Sequence, residues 1–158
     1  MNTSTRSTIA IGCDEAAFHL KETVRGHLEK LGHSVKDYGV YNTEPSLYPN
    51  IALEVSNAVA GGEHQRAILM CGTGIGMAIT ANKVPGIRAA VCHDVYSAER
   101  ARKSNDCQVM ALGARVVGEE YAKRLVDTWL ESDFEGGKSA AKVERIKEIE
   151  QEFTSTKK

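Results

Sequence analysis

Apolar residues fall along this chain in two rhythms. Short β-rich runs, Thr8 to Gly12, Ser34 to Tyr38, Ala67 to Met70, Arg88 to Cys92 and Gln108 to Leu112, have the length of buried strands and are too short for helices. Between them, apolar positions recur near the 3.6-residue helical spacing: Phe18, Leu20, Val24, Leu28 and Leu31, then Ile51, Val55 and Val59, and later Tyr121, Leu125, Val126 and Trp129. Gly32, Gly61 and Gly86 stand where several of these elements end, as C-terminal caps and turns do. Strands separated by helices run parallel, because a parallel neighbour needs a crossover of a dozen or more residues, and both faces of such a sheet are then covered.

The pattern therefore predicts an α/β protein, a Rossmann-like three-layer α/β/α sandwich with a five-stranded parallel sheet. It also predicts an extra C-terminal helix, at about 137–153, after the break at Glu135-Gly136-Gly137. That helix carries Val143, Ile146, Ile149 and Phe153 on one stripe, which needs a covering surface from either its own subunit or a second one. With 158 residues, no internal repeat and no long linker, the chain reads as a single domain. One irregular stretch, Gly39 to Pro49, is long enough to be a functional loop or a passive surface one.

Charge narrows the partners. Lys and Arg number 20 against 21 Asp and Glu, a formal net charge of -1, so the basic excess typical of nucleic-acid or anionic-membrane binding is missing. No run of ~18 apolar residues exists to span a bilayer, and the polar start MNTSTRST does not read as a secretory leader. Cys13, Cys71, Cys92 and Cys107 are far apart, with no C-x-x-C pair to suggest a zinc ribbon or a thioredoxin site. Each lies in or beside an apolar run, so free thiols in a reducing, cytoplasmic setting are expected.

Open parallel sheets bind ligands beyond the carboxyl ends of their strands, which directs attention to the residues following each strand. These are Cys13-Asp14-Glu15, Cys71-Gly72-Thr73-Gly74-Ile75-Gly76 and Cys92-His93-Asp94. Three glycines in five residues, between a strand and a helix, expose backbone N–H groups at a positive helix end and favour an anion. The dinucleotide fingerprint fails, because Met77 stands where its third small residue is required, and no Gly-Lys-Ser/Thr follows to make a P-loop. Such turns also occur for tight packing alone. Cys71 at the start of the loop favours chemistry, since a thiolate there is stabilised by the helix end and can act as a base. Cys13, Cys92 and Cys107 read as small buried hydrophobes, and of the five histidines only His93 falls at a strand's carboxyl end.

Taken together these motifs resemble the B-type ribose 5-phosphate isomerases, which include the galactose 6-phosphate isomerase subunits. The resemblance runs from Ile9-Ala10-Ile11-Gly12-Cys13-Asp14 through Leu69 to Gly76, Ala81-Asn82-Lys83, Ser104-Asn105-Asp106 and Gly113 to Gly118, and ends at Phe134-Glu135-Gly136-Gly137. It implies a cofactor- and metal-free aldose-ketose isomerase that works through an enediolate, in a homodimer or tetramer whose sites draw on two subunits. It also implies the site. Cys71 is the base, with Thr73 beside the thiolate; the amides of Gly72, Gly74, Ile75 and Gly76 stabilise the oxyanion; Asp14 and Asn105 contact sugar hydroxyls; Arg115, Lys138 and Lys142 hold the phosphate. Met77, where a second branch of the family has a Glu base, places the chain with the Cys branch. Lys binds phosphate as a point charge without the bidentate fork of Arg.

Two departures bear on the substrate. Ribose isomerases of the family carry His where this chain has Glu15, near the phosphate, and His where it has Ser104, the acid that opens the furanose ring. A four-carbon sugar phosphorylated on O4 cannot close a five- or six-membered ring and needs no such acid. The expected reaction is interconversion of D-erythrulose 4-phosphate and D-erythrose 4-phosphate, a step of erythritol catabolism. Ribose 5-phosphate isomerisation is the alternative, with His93 as a displaced acid. A metabolite-sensing module, which would not need Cys71, and a non-catalytic partner subunit are the other readings.

Overall fold

The computed structural model describes residues 8–155. Five strands, β1 (Ile9–Cys13), β2 (Val35–Asp37), β3 (Arg66–Cys71), β4 (Ala89–Val91) and β5 (Val109–Gly113), form one sheet in the order β2-β1-β3-β5-β4, with every pairing parallel. The expected strands are all present, displaced by a residue or two. The three central strands are almost wholly buried, which is why they read as unbroken apolar runs, while the three-residue edge strands β2 and β4 are only half-buried.

Side chains alternate between two cores. Ile9, Ile11, Ile68, Met70, Met110 and Leu112 face a layer of α1 (Phe18–Lys30), α4 (Val95–Lys103) and α5 (Glu119–Leu130). Ala10, Ala67, Leu69, Cys71, Val109 and Ala111 face α2 (Tyr48–Ala60) and α3 (Ile75–Ala81). The second face is built from smaller residues, so its helices come closer: a Cβ on Gly12 would lie 2.7 Å from Ile51 Cγ2. Cys71 lies on this side and ends β3, with three residues between it and the start of α3.

The helix α4 has no counterpart among the periodic runs of the sequence, because its buried face is only Ala98, Ala101 and Arg102, whose guanidinium donates to Cys107 O. The irregular stretch ends earlier than its proline suggests, since Tyr48 and Pro49 already belong to α2, where proline suits the first turn. The last helix, α6 (Ala140–Thr154), buries Val143 but leaves Ile146, Ile149 and Phe153 exposed.

Candidate active site

The site starts at the end of β3. Cys71 is buried, and the chain passes through Gly72 and Thr73 to Gly74, whose φ of 76° lies in the left-handed region that glycine tolerates. This turn aims the Gly74 N–H back at Cys71 Sγ, 3.1 Å away. The Thr73 hydroxyl accepts from the Ile75 N–H at 3.3 Å, which leaves its own proton free to donate. The end of β5 presses against the loop: a Cβ on Gly113 would lie 2.7 Å from the Thr73 backbone, and one on Gly74 would lie 2.9 Å from that of Leu112. Two hydrogen bonds join the turns, from Ala114 N–H to Cys71 O at 2.9 Å and from Arg115 N–H to Gly72 O at 3.0 Å. They carry the exposed Arg115 side chain across Gly72, where a Cβ would lie 3.1 Å from its guanidinium. Met77 is fully buried beneath α3, so the residue that broke the dinucleotide fingerprint is a core residue.

Beside this loop, Asp14 caps the short turn that precedes α1. Its N–H donates to Met70 O at 3.1 Å, and its Oδ1 accepts from the Ala17 N–H at 3.2 Å. Burial, with Glu15 adding to it, raises the Asp14 carboxyl above the ordinary aspartate value, against the opposing charge of Arg115. Glu15 is turned to the loop after β2: its Oε2 accepts from the Ser46 N–H at 3.1 Å and the Ser46 hydroxyl at 2.8 Å. Hydrogen bonds from its own N–H and from Ser46 hold this carboxyl below the usual glutamate value. Tyr48 closes the other side, its ring so close to Gly76 that a Cβ there would overlap it at 2.5 Å. Asp14, Glu15, Cys71 to Gly76 and Arg115 thus converge.

Asn105 does not join them within one chain, and among the described residues no hydrogen bond or ion pair links Lys138 or Lys142 to them. Asn105 precedes β5, at the amino end of the sheet, where its carbonyl accepts from Arg88 Nε at 3.1 Å. Strand β5 alone separates that end from the Cys71 end by roughly 13 Å at ~3.3 Å per residue, beyond the reach of one small sugar phosphate. Asn105 lines a groove of about 480 Å³ along β4 with Asn82, Arg88, Arg100 and Ile146. Lys138 and Lys142 are exposed and, among the described residues, form no ion pair. Ser104 lies on the same side, its hydroxyl accepting from Arg100 Nε at 2.7 Å.

His93 is engaged elsewhere. Its Nε2 accepts from the Gly113 N–H at 2.9 Å, so the proton of the neutral ring lies on Nδ1, and burial holds the group below the usual histidine value. It ties β4 to β5 and has no Nε2 proton to give. Cys13, Cys92 and Cys107 are buried free thiols, and burial raises them to about 12, 12 and 11. Among the described residues no three His, Cys, Asp or Glu side chains gather as a metal site, and no helix is long and apolar enough to cross a membrane.

Sequence reasoning missed Ser46, Tyr48, Arg100 and Gly113. The first two lie in what reads as an irregular loop, and Ser46 meets Glu15 across 31 positions. A signal existed only for Gly113, a glycine closing an apolar strand in the way that Gly72 follows β3.

Comparison with known proteins adds a family. The ribose/galactose isomerase family matches residues 9–146. The chain is 57 % identical over 140 residues to the D-erythrulose-4-phosphate isomerase of Pectobacterium atrosepticum, covering 88 % of this chain and 92 % of that one. It is 54 % identical over 143 residues to the ribose-5-P isomerase B of Listeria innocua, covering 90 % and 97 %. Among solved structures, ribose-5-phosphate isomerase B of Clostridium thermocellum superposes with a TM-score of 0.91 at 46 % identity, over 92 % of this chain and 99 % of that one. With a match along nearly its whole length and the glycine loop at its centre, the chain belongs to the ribose/galactose isomerase family.

Proposed function

We propose that the protein is an aldose-ketose isomerase that interconverts D-erythrulose 4-phosphate and D-erythrose 4-phosphate. The Cys71 thiolate takes a proton from the carbon beside the carbonyl and returns it to the neighbouring carbon, with an enediolate between the two steps. The first N–H groups of α3, which a helix leaves without internal partners, stabilise the oxyanion. Asp14, whose carboxyl holds its proton more readily than usual, contacts the O1 and O2 oxygens between which a second proton must move. Arg115 binds the phosphate. Asn105, Lys138 and Lys142 reach this centre from a second copy of the chain, whose α6 covers apolar surface left exposed in one subunit. Four buried free thiols suit a reducing compartment such as the cytoplasm.

One observation carries the choice of substrate: the positions that could supply a ring-opening acid are occupied otherwise. Ser104 has no acidic proton near neutral pH and accepts from Arg100, while His93 is tied by its Nε2 to the Gly113 N–H, and burial lowers its pKa and disfavours the imidazolium that would be the acid. A substrate that stays open-chain needs neither. Steady-state assays of the purified protein with D-erythrulose 4-phosphate and D-ribose 5-phosphate test the assignment. The expected kcat/KM is higher for the tetrose, and an equal or higher value for ribose 5-phosphate overturns it in favour of the pentose reading that the Listeria relative supports.

A further inference from the structure

The segment between β2 and α2 has no regular structure, and residues 41–45 are exposed, yet it is tethered at one end by α1 and at the other by the turn that precedes that helix. At its base, the fully buried Lys21 donates to both Asp37 carboxylate oxygens at 2.8 Å and to Val40 O at 2.6 Å, with the Tyr41 ring 5.1 Å away. At its far end stands Ser46, half-buried where its neighbours are exposed, and held through both its N–H and its hydroxyl by Glu15 Oε2. Two residues later Tyr48 lies over Gly76. The second tether therefore sets where the loop enters the site, between Asp14 and the start of α3.

Glu15 also sits in a charged arrangement. Arg115 crosses Gly72 and interacts electrostatically with Asp14 and Glu15 together. An anion that binds Arg115 meets a fixed carboxylate on the Glu15 side and the Cys71 turn, which Arg115 crosses at Gly72, on the other. Repulsion keeps it on the far side of Arg115 from Glu15, and a longer sugar would have to set its phosphate further out, against Glu15.

We propose that Glu15 is a positioning residue that selects the length of the sugar phosphate, fixing the loop wall through Ser46 and keeping the phosphate off its own side of Arg115. This rests on the sugar-phosphate reading above. It differs from a merely structural role, which would change both substrates alike.

The two parts of the proposal separate by mutation. Glu15→Gln keeps an oxygen that can accept from Ser46 but removes the charge; Ser46→Ala removes the hydroxyl bond and keeps the charge; Glu15→Ala removes both. The measurements are kcat and KM for D-erythrulose 4-phosphate and D-ribose 5-phosphate, with hydrogen exchange of the Ser46 amide in the same proteins. For Glu15→Ala, the ratio of the two kcat/KM values is expected to shift toward the pentose by about tenfold, the size of one lost charged interaction, mainly through KM. Glu15→Gln and Ser46→Ala should each give part of that shift. Ser46 amide protection should fall in Glu15→Ala and persist in Glu15→Gln. A ratio within twofold of the parent in Glu15→Ala and Glu15→Gln, or a Ser46 amide equally protected in Glu15→Ala, overturns the proposal. A parent enzyme that prefers ribose 5-phosphate overturns the tetrose assignment instead, and the ratio shift and the Ser46 exchange still judge Glu15. Were Glu15→Ala not to fold, Glu15→Gln and Ser46→Ala, which keep part of the Glu15–Ser46 contact, decide by the same ratio.

Discussion

Two ends of one sheet carry two differently built sets of functional groups. At the carboxyl end, Cys71, the glycine loop, Asp14 and Arg115 are locked by backbone contacts: Gly113 against Thr73, Gly74 against Leu112, and two hydrogen bonds between the turns after β3 and β5. Around the amino end of β5 and on the last helix, Asn105, Lys138 and Lys142 are exposed, and the two lysines have no ion-pair partner among the described residues. The first set is preorganised, which proton transfer from carbon requires, because a base and an oxyanion site displaced by an ångström lose most of their effect. The second is exposed, its lysines unpaired among the described residues, which suits the anion-binding role proposed for it above.

The largest effect should come from breaking each half separately and then combining them. Cys71→Ser should lower kcat by roughly 10² to 10⁴-fold without loss of fold. Lys138→Ala with Lys142→Ala should leave the melting temperature unchanged and impair the reaction chiefly through KM. If the two halves meet between subunits, an equal mixture of the two variant proteins, allowed to exchange subunits, should regain about a quarter of the parent activity, since half the dimers then hold one intact site. Failure to recover any activity would confine catalysis to one subunit.

A smaller effect tests the rigidity of the first half. Gly113→Ala drives a methyl into the Thr73 backbone, which cannot yield as a side chain does. It should cost about 1–3 kcal/mol of stability by urea denaturation and reduce kcat further than that loss explains, because the Gly74 N–H moves away from Cys71. Gly118→Ala, where nothing lies within 4 Å of the new Cβ, is the control and should leave kcat unchanged.

The smallest effect concerns pH. Burial keeps His93 neutral as the acceptor of the Gly113 N–H, with its folded value below the unfolded one near 6.5. The unfolded chain therefore takes up a proton first, so this contribution is complete above about pH 6.5 and is lost as pH falls toward the folded value. Melting temperatures of the parent should fall more steeply below pH 6.5 than those of His93→Gln, whose amide oxygen accepts the same bond without titrating. Parallel curves would show that His93 does not carry the pH response of the strand ends.

Much of this was legible in the chain. The central strands announce themselves as the runs Thr8 to Gly12, Ala67 to Met70 and Gln108 to Leu112, because a strand buried on both faces has no polar position after its first residue to interrupt it. The glycine loop and Cys71 were equally plain, since local sequence alone sets a strand-to-helix turn with a left-handed glycine. Less visible was α4, whose buried face of two alanines and an arginine gives no apolar period. Ser46 and Tyr48 could not be placed either, because their roles depend on partners far along the chain.

Local order, then, was decided by the sequence: which runs are strands, which end of the sheet bears the thiol, and where the anion-favouring turn lies. Tertiary structure alone decided that Glu15 faces Ser46, that His93 is an acceptor and that Asn105 stands a strand's length from Cys71. The physical reason is the range of the interactions. A turn, a cap or a period is written within a few residues, whereas a hydrogen bond between positions 31 apart exists only once the sheet has brought them together.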